Sequence, residues 1–503
     1  MANMLYDALF GIHAGDATVF LHLPDGSRIS HAAFLGRAAG FAHALTGLGL
    51  TPGDRVAAQV DKGADALALY AGCVQAGLVY LPLNPAYTAA EVDYFTGDAG
   101  AALLVATPDR VAALAHVAAA HGAQIQSLGV DGDGTLADLA QGQPARFHTV
   151  ARSAADLAVI LYTSGTTGRS KGAMLTQANL LCNAQVLAAA WRFSAADVLL
   201  HALPIFHTHG LFVATHVSLL TGGAMILLPR FDADAVFALL PQATAMMGVP
   251  TFYTRLVADP RLTRDAAAHM RLFVSGSAPL LAETHRAFQA ATGHMILERY
   301  GMTETSMNTS NPYDGERRPG TVGCALPGIS VQVCDAAGTP LPPGQVGMVE
   351  VAGPNVFAGY WQMPDRTAAE MRADGRFITG DLGMVSADGY LTIVGRQKDM
   401  IIAGGLNIYP VEIEEALDAL PDILESAVIG VPHPDLGEAV LAVVVPRPGA
   451  VPDPAALLAA LGDRLVRFKL PRRIVLAASL PRNAMGKVQK AALRQDHAGA
   501  FAS

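Results

Sequence analysis

Short apolar runs separated by helix-like stretches recur through roughly the first 300 residues, and this alternation limits the fold more than any other feature of the chain. Strand patterns at Arg55 to Val60, Val79 to Leu83 and Ala101 to Ala106 are interleaved with helix patterns near 31–47, 64–77 and 88–97. The alternation resumes at Ala224 to Leu228, Ala245 to Val249 and Leu272 to Ser275, with helices near 232–241, 251–258 and 280–291. Strands joined through covering helices build parallel sheets, so a large α/β unit is expected. From about residue 330 the texture changes to short strands with turns, among them Asp335-Ala336-Ala337-Gly338 and Leu341-Pro342-Pro343-Gly344. This predicts a small β-rich subdomain over about 325–395. After Gly395-Arg396-Gln397-Lys398-Asp399 the remaining segment is long enough for a separate α+β domain. The expected division is an N-terminal domain over 1–396 and a small mobile C-terminal domain over 397–503.

Within this frame, Asp156 to Leu161 reads as a buried strand running into Tyr162-Thr163-Ser164-Gly165-Thr166-Thr167-Gly168-Arg169-Ser170-Lys171-Gly172. Glycines let backbone N–H groups approach phosphate oxygens. Thr163, Ser164, Thr166, Thr167 and Ser170 add donors, and Arg169 and Lys171 add charge. The spacing is not that of a Walker loop, because Lys171 is followed by Gly172 where that motif needs Ser or Thr.

Composition narrows the partners. With 34 basic and 43 acidic residues the net charge is −9 and no Lys/Arg block is present, so no nucleic-acid partner is expected. Hydrophobic content of 51% with 15% charged residues indicates a packed core. The uncharged stretches 66–90 and 198–229 are broken by prolines and polar residues, so neither reads as a membrane span. Cys73, Cys182, Cys324 and Cys334 form no Cys-x-x-Cys pair, and a reducing cytoplasm is the expected compartment.

Further along, several turns carry reactive groups. Leu297 to Glu304 is a strand ending in a turn with Tyr300, Thr303 and Glu304, where the ring suits stacking on a base and the carboxylate suits Mg²⁺. Ser275-Gly276-Ser277-Ala278-Pro279 closes the preceding strand, and Asp381 in Thr379-Gly380-Asp381-Leu382-Gly383 has the lone pairs to hold ribose hydroxyls. His207-Thr208-His209 lacks a third ligand at a recognisable spacing, so a substrate-channel lining is favoured over zinc. Lys487 sits in the loop Pro481 to Val488.

Singly these are ordinary turns. In their order and spacing, Tyr162 to Gly172, Tyr300 to Glu304, Thr379 to Gly383, Gly395 to Lys398 and Pro481 to Lys487 resemble the adenylate-forming superfamily of acyl-CoA synthetases, peptide-synthetase adenylation domains and luciferases. The resemblance implies ATP, Mg²⁺ and coenzyme A as cofactor and co-substrates. It implies that Lys487 acts in adenylation, Glu304 binds Mg²⁺, Asp381 and Arg396 hold ribose, Lys398 is the hinge, and Gly404 and Gly405 line the coenzyme A tunnel after domain rotation. Thr163 to Gly168, Lys171, Gly276, Ser277, Ala278, Tyr300 and Thr303 complete the implied ATP site.

Within the superfamily, His207 to Leu211, Arg299 and Met307 to Tyr313 are most similar to the malonyl-CoA synthetases. A dicarboxylate brings a second charge that must be paired when buried. The resemblance assigns it to Arg299, with His207, Thr208 and Met307 beside it. A salt bridge from Arg299 to Glu298 or another acid is the competing expectation. The expected reaction converts malonate, ATP and coenzyme A to malonyl-CoA, AMP and pyrophosphate. Ligation of methylmalonate or another short acid, and loading of a carrier protein, are the alternatives. A lysine acetyltransferase and deacetylase acting on Lys487 are expected partners, since a catalytic cation on a loop is exposed to modification.

Overall fold

A computed structural model describes residues 3–163, 170–462, 464–483 and 486–501. Among the described residues, two mainly parallel sheets form the bulk of the molecule. The six-stranded sheet runs Gln124–Ser127, Leu103–Ala106, Arg55–Gln59, Val79–Pro82, Leu157–Thr163, Lys171–Thr176, with only the last pair antiparallel. The nine-stranded sheet begins at one edge with Cys324–Ala325, Ser306–Ser310, Leu297–Met302 and Leu272–Ser275. It continues through Ala245–Gly248, Val198–His201 and Ala224–Leu227 to Val19–His22 and Arg28–Ser30.

Helices His31–Gly47 and Ala64–Gln75 join the core that both sheets share. Gly72 permits their close crossing, because a Cβ there would stand 2.8 Å from the Ala38 carbonyl oxygen. The expected α/β architecture is thus present, with boundaries moved by a few residues as caps dictate. Thr88 caps Ala89–Ala99 through a reciprocal pair with Glu91.

The β-rich segment is an antiparallel sheet of Ser330–Cys334, Gly347–Ala352, Phe377–Val385 and Leu391–Arg396. Beyond it, Ile401–Ala403, Leu406–Ile408, Ile423–His433, Gly437–Pro446 and Arg473–Leu476 form a separate five-stranded sheet with its own apolar cluster. No helix among the described residues is long and apolar enough to cross a membrane.

Candidate active site

Strands Leu272–Ser275 and Leu297–Met302 pair in parallel, Val274 with Leu297 and Ser275 with Glu298, so their C-terminal ends open side by side. Consecutive strand residues face opposite ways. Glu298 therefore turns to the helix Ala282–Thr292, where its Oε1 lies 3.3 Å from His285 Nδ1. Arg299 turns the other way and is 4% exposed. It has no carboxylate partner among the described residues, and its Nε and Nη2 are buried without a hydrogen bond. The expected Glu298 bridge is thus absent. Burial draws the Arg299 pKa down to about 9. Gly276 makes room for the fork, since a Cβ there would meet Arg299 Cζ at 2.4 Å.

Thr208 Oγ1, His209 Nε2 and Ser275 Oγ, on the neighbouring segments, are also buried and unpaired. Ser277 takes a left-handed φ of 74°, a conformation that costs about 1–3 kcal/mol in a non-glycine residue. This turn puts its Oγ 3.2 Å from His209 Nδ1. His209 opens a single π-helical stretch, His209–Thr215, a form that concentrates at functional sites. Behind it, buried Lys62 donates to His201 Nδ1 at 2.9 Å and to the carbonyls of His201 and Leu203 at 2.7 and 2.8 Å. His201 Nε2 in turn donates to the Gly210 carbonyl at 2.9 Å and ties the histidine loop down. Burial, and then the charges of Lys487 and Arg299, push His207 to about 3, so its imidazole is neutral.

The nucleotide-side residues form a second cluster. Asp381 accepts from Tyr300 Oη at 2.6 Å and from Arg396 Nε at 2.9 Å. A carboxylate has four lone-pair sites, so two remain for a ligand. Glu304, 6% exposed, is pushed up by burial and accepts from Tyr360 Oη at 3.0 Å. The same hydroxyl lies 2.6 Å from Glu370 Oε2, and Lys171 bridges to Glu370 at 3.2 Å with its ammonium 4.0 Å from the Tyr360 ring centre. Glu304 offers a buried hard oxygen near these groups, which fits Mg²⁺ shared with phosphate oxygens.

Lys487 keeps an exposed side chain although protein atoms surround it on most sides. That surrounding protein lowers its pKa to about 8, and Arg396, Asp381, Arg299 and Glu304 all lie close enough to act on its charge. The loop is braced by Asn483 Oδ1, which accepts from the Lys487 amide at 3.0 Å.

A family model described as "AMP-binding enzyme" matches residues 13–361, and a model of the "AMP-binding enzyme C-terminal domain" matches 412–487. The chain belongs to the AMP-binding enzymes. Relatives include a feruloyl-CoA synthase of an Amycolatopsis species, 36% identical over 93% of this chain and 94% of its own length. A malonate–CoA ligase of Arabidopsis thaliana is 35% identical over 89% of this chain and 79% of its own. ATP-bound MatB from Rhodopseudomonas palustris superposes with a TM-score of 0.98 at 54% identity over the whole of both chains. The same MatB without ligand gives 0.86. This AMP-binding enzyme is an AMP-forming acid–thiol ligase that uses ATP and coenzyme A.

Of the expected site residues, the fold gathers Arg299, His207, Thr208 and Lys487 around one cleft, and Tyr300, Glu304, Asp381 and Arg396 beside it. Met307, 2% exposed, pairs with Gly301 on the adjoining antiparallel strand. Thr303 and Ala278 are half-buried in the turns after the two strands, and Thr163 ends its strand opposite Lys171. Ser164, Gly165, Thr166, Thr167 and Gly168 lie outside the described residues. Lys398 sits in a short 3₁₀ turn, Gln397–Asp399, that follows Arg396.

Gly404 and Gly405 form an exposed left-handed turn and are not brought to the cleft in this arrangement. Sequence reasoning passed over Tyr360, Glu370, Lys62 and His201. Tyr360 lies 56 positions from Glu304 and Lys62 lies 139 from His201, separations at which spacing carries no signal.

Proposed function

We propose that this enzyme joins malonate to coenzyme A, giving malonyl-CoA, AMP and pyrophosphate through a malonyl-adenylate. The observation that carries the reading is the buried, unpaired Arg299 fork among unpaired polar atoms. A buried guanidinium left unpaired is costly, and a planar carboxylate is the partner its fork matches. A monocarboxylate with an apolar tail would leave that cost in place. The Arabidopsis thaliana relative named a malonate–CoA ligase supports the same choice.

In the first half-reaction a carboxylate oxygen of malonate attacks the α-phosphorus of ATP and pyrophosphate leaves. In the second the thiol of coenzyme A attacks the acyl carbon and AMP leaves. Arg299 holds the distal carboxylate, with His207, Thr208 and Met307 shaping the space around it. The Lys487 ammonium neutralises the reacting carboxylate and the α-phosphate. Preorganised charge of this kind needs no reorganisation as charge develops. Thr163 to Gly168, Lys171 and Gly276 to Ala278 receive the phosphates and adenine, Tyr300 and Thr303 flank the base and α-phosphate, and Asp381 and Arg396 take the ribose. Glu304 would hold Mg²⁺, which when bound withdraws charge from phosphate oxygens.

Residues 397–503 then turn about Lys398 to bring Gly404 and Gly405 to the thiol path. The enzyme works in the cytoplasm, and acetylation of Lys487 by an acetyltransferase, reversed by a deacetylase, would switch off adenylation.

AMP release measured with coenzyme A over malonate, methylmalonate, succinate, acetate, propionate and ferulate tests the reading, with malonate expected to give the highest kcat/KM. A higher value for any monocarboxylate would refute it. Carrier-protein loading is separated by the acceptor, since free coenzyme A suffices only for a ligase.

Two further results are expected. Because a Cβ at Gly276 collides with the Arg299 fork, Gly276→Ala should lower kcat/KM for malonate roughly tenfold, about 1.4 kcal/mol, and propionate turnover much less. Because adenylation needs Lys487 as a cation and its pKa is lowered to about 8, kcat/KM for malonate-dependent pyrophosphate exchange should fall as pH rises through about 8. The thioester half-reaction from supplied malonyl-adenylate should lack that fall.

A further inference from the structure

Far from the cleft, at the opposite edge of the nine-stranded sheet, His13, Asp16 and His31 bring three ligand atoms within 4.8 Å of one another. His13 ends the short turn Gly11–His13, and His31 is the first residue of the helix His31–Gly47. Their rings stack with centroids 4.1 Å apart. His13 Nε2 lies 2.6 Å from the Leu219 carbonyl, which can only accept, so the neutral ring carries its proton there. Its Nδ1 lone pair then faces Asp16 Oδ2 at 3.8 Å. Asp16 Oδ1 is occupied by the Thr18 amide and hydroxyl, both at 2.8 Å, which leaves Oδ2 available. His31 is 1% exposed, and its Nε2 is buried without a partner.

A lone pair set against a carboxylate oxygen, beside an unpaired buried nitrogen, is an unsatisfied arrangement that positive charge would complete. We propose that His13 Nδ1, Asp16 Oδ2 and His31 Nε2 form a structural binding site for a borderline divalent cation, zinc foremost.

Two imidazoles and one carboxylate match the preference of zinc and disfavour Mg²⁺, which prefers all-oxygen surroundings. Zinc bonds of about 2.0–2.2 Å require ligand atoms closer together than they stand here, so binding would draw the Asp16 carboxylate and the two rings inward. The Leu219 carbonyl already supplies the outer hydrogen bond that orients a ligating histidine. Asp16, 32% exposed, leaves a path for a water as fourth ligand. Helix amides at His31 oppose a cation, and the Asp16 carboxylate offsets them. A bound ion would tie the N-terminal turn to the helix start and to the Leu219 carbonyl.

The experiment titrates the chelator-stripped full chain with Zn²⁺ by calorimetry and with Co²⁺ by visible absorption, alongside melting curves. One ion per chain, a tetrahedral cobalt spectrum and a raised Tm are expected. Asp16→Asn, which keeps the bonds to Thr18, and His31→Gln should each weaken binding at least tenfold while malonate-dependent pyrophosphate exchange is retained. His207→Gln should leave the zinc affinity unchanged. Absence of stoichiometric binding at micromolar free zinc overturns the proposal. So does binding that survives both Asp16→Asn and His31→Gln or is lost in His207→Gln. Should His31→Gln fail to fold, Asp16→Asn decides alone.

Discussion

Arg299→Ala is expected to lower kcat/KM for malonate by roughly two to three orders of magnitude while leaving propionate far less affected. Removing one partner of a buried charge pair costs about 3–5 kcal/mol, because the other charge is left unpaired, and each decade is worth about 1.4 kcal/mol. Here the partner left behind is the distal carboxylate of malonate, while Lys487, the other cation of the cleft, is assigned in the proposed mechanism to the reacting carboxylate and the α-phosphate. Propionate brings no second charge, so the mutant removes from it only an unfavourable buried cation, and its turnover can rise. Because Arg299 has no carboxylate partner among the described residues, its removal strands no acid in the free protein, and Tm should hold. Kinetics with both acids, next to a melting curve, check each part. An unchanged malonate to propionate ratio would remove the reason for choosing malonate.

Lys487→Ala should abolish malonate-dependent pyrophosphate exchange, with a loss on the order of a hundredfold or more, typical of removing a preorganised charge from a transition state. Thioester formation from supplied malonyl-adenylate should persist, since the proposed rotation about Lys398 carries Lys487 away from the cleft in that step. Lys398→Pro should give the opposite split, because a ring that locks φ restricts a hinge. The arrangement described has Lys487 in the cleft and Gly404 and Gly405 out of it, and it superposes better on ATP-bound than on unliganded MatB, 0.98 against 0.86. Assaying the two half-reactions separately in both variants checks this. Equal loss of both steps in both variants would refute the two-arrangement account.

Much of the fold was readable along the chain. The strand and helix alternation before residue 300 and the turn-rich stretch that follows reflect local periodicity, which burial on both faces of a parallel sheet imposes on sequence directly. The site was readable only as a set of turns in order. Glu298 and Arg299 illustrate the limit: as neighbours they invited a salt bridge, yet a strand sends them to opposite faces. His285 settles one face, and the close approach allowed by Gly276 shapes the other.

By itself, the sequence determined the α/β architecture and the order of turns that marks an adenylate-forming enzyme, because each depends on residues close together along the chain. Only the tertiary structure decided which charges are paired. It gave Glu298 to His285 and Glu304 to Tyr360, held Lys62 on His201 and left the Arg299 fork free. Pairing inside a protein is set by which side chains share a buried volume, and residues far apart in the chain enter that volume only when the sheets and their connecting loops close around it.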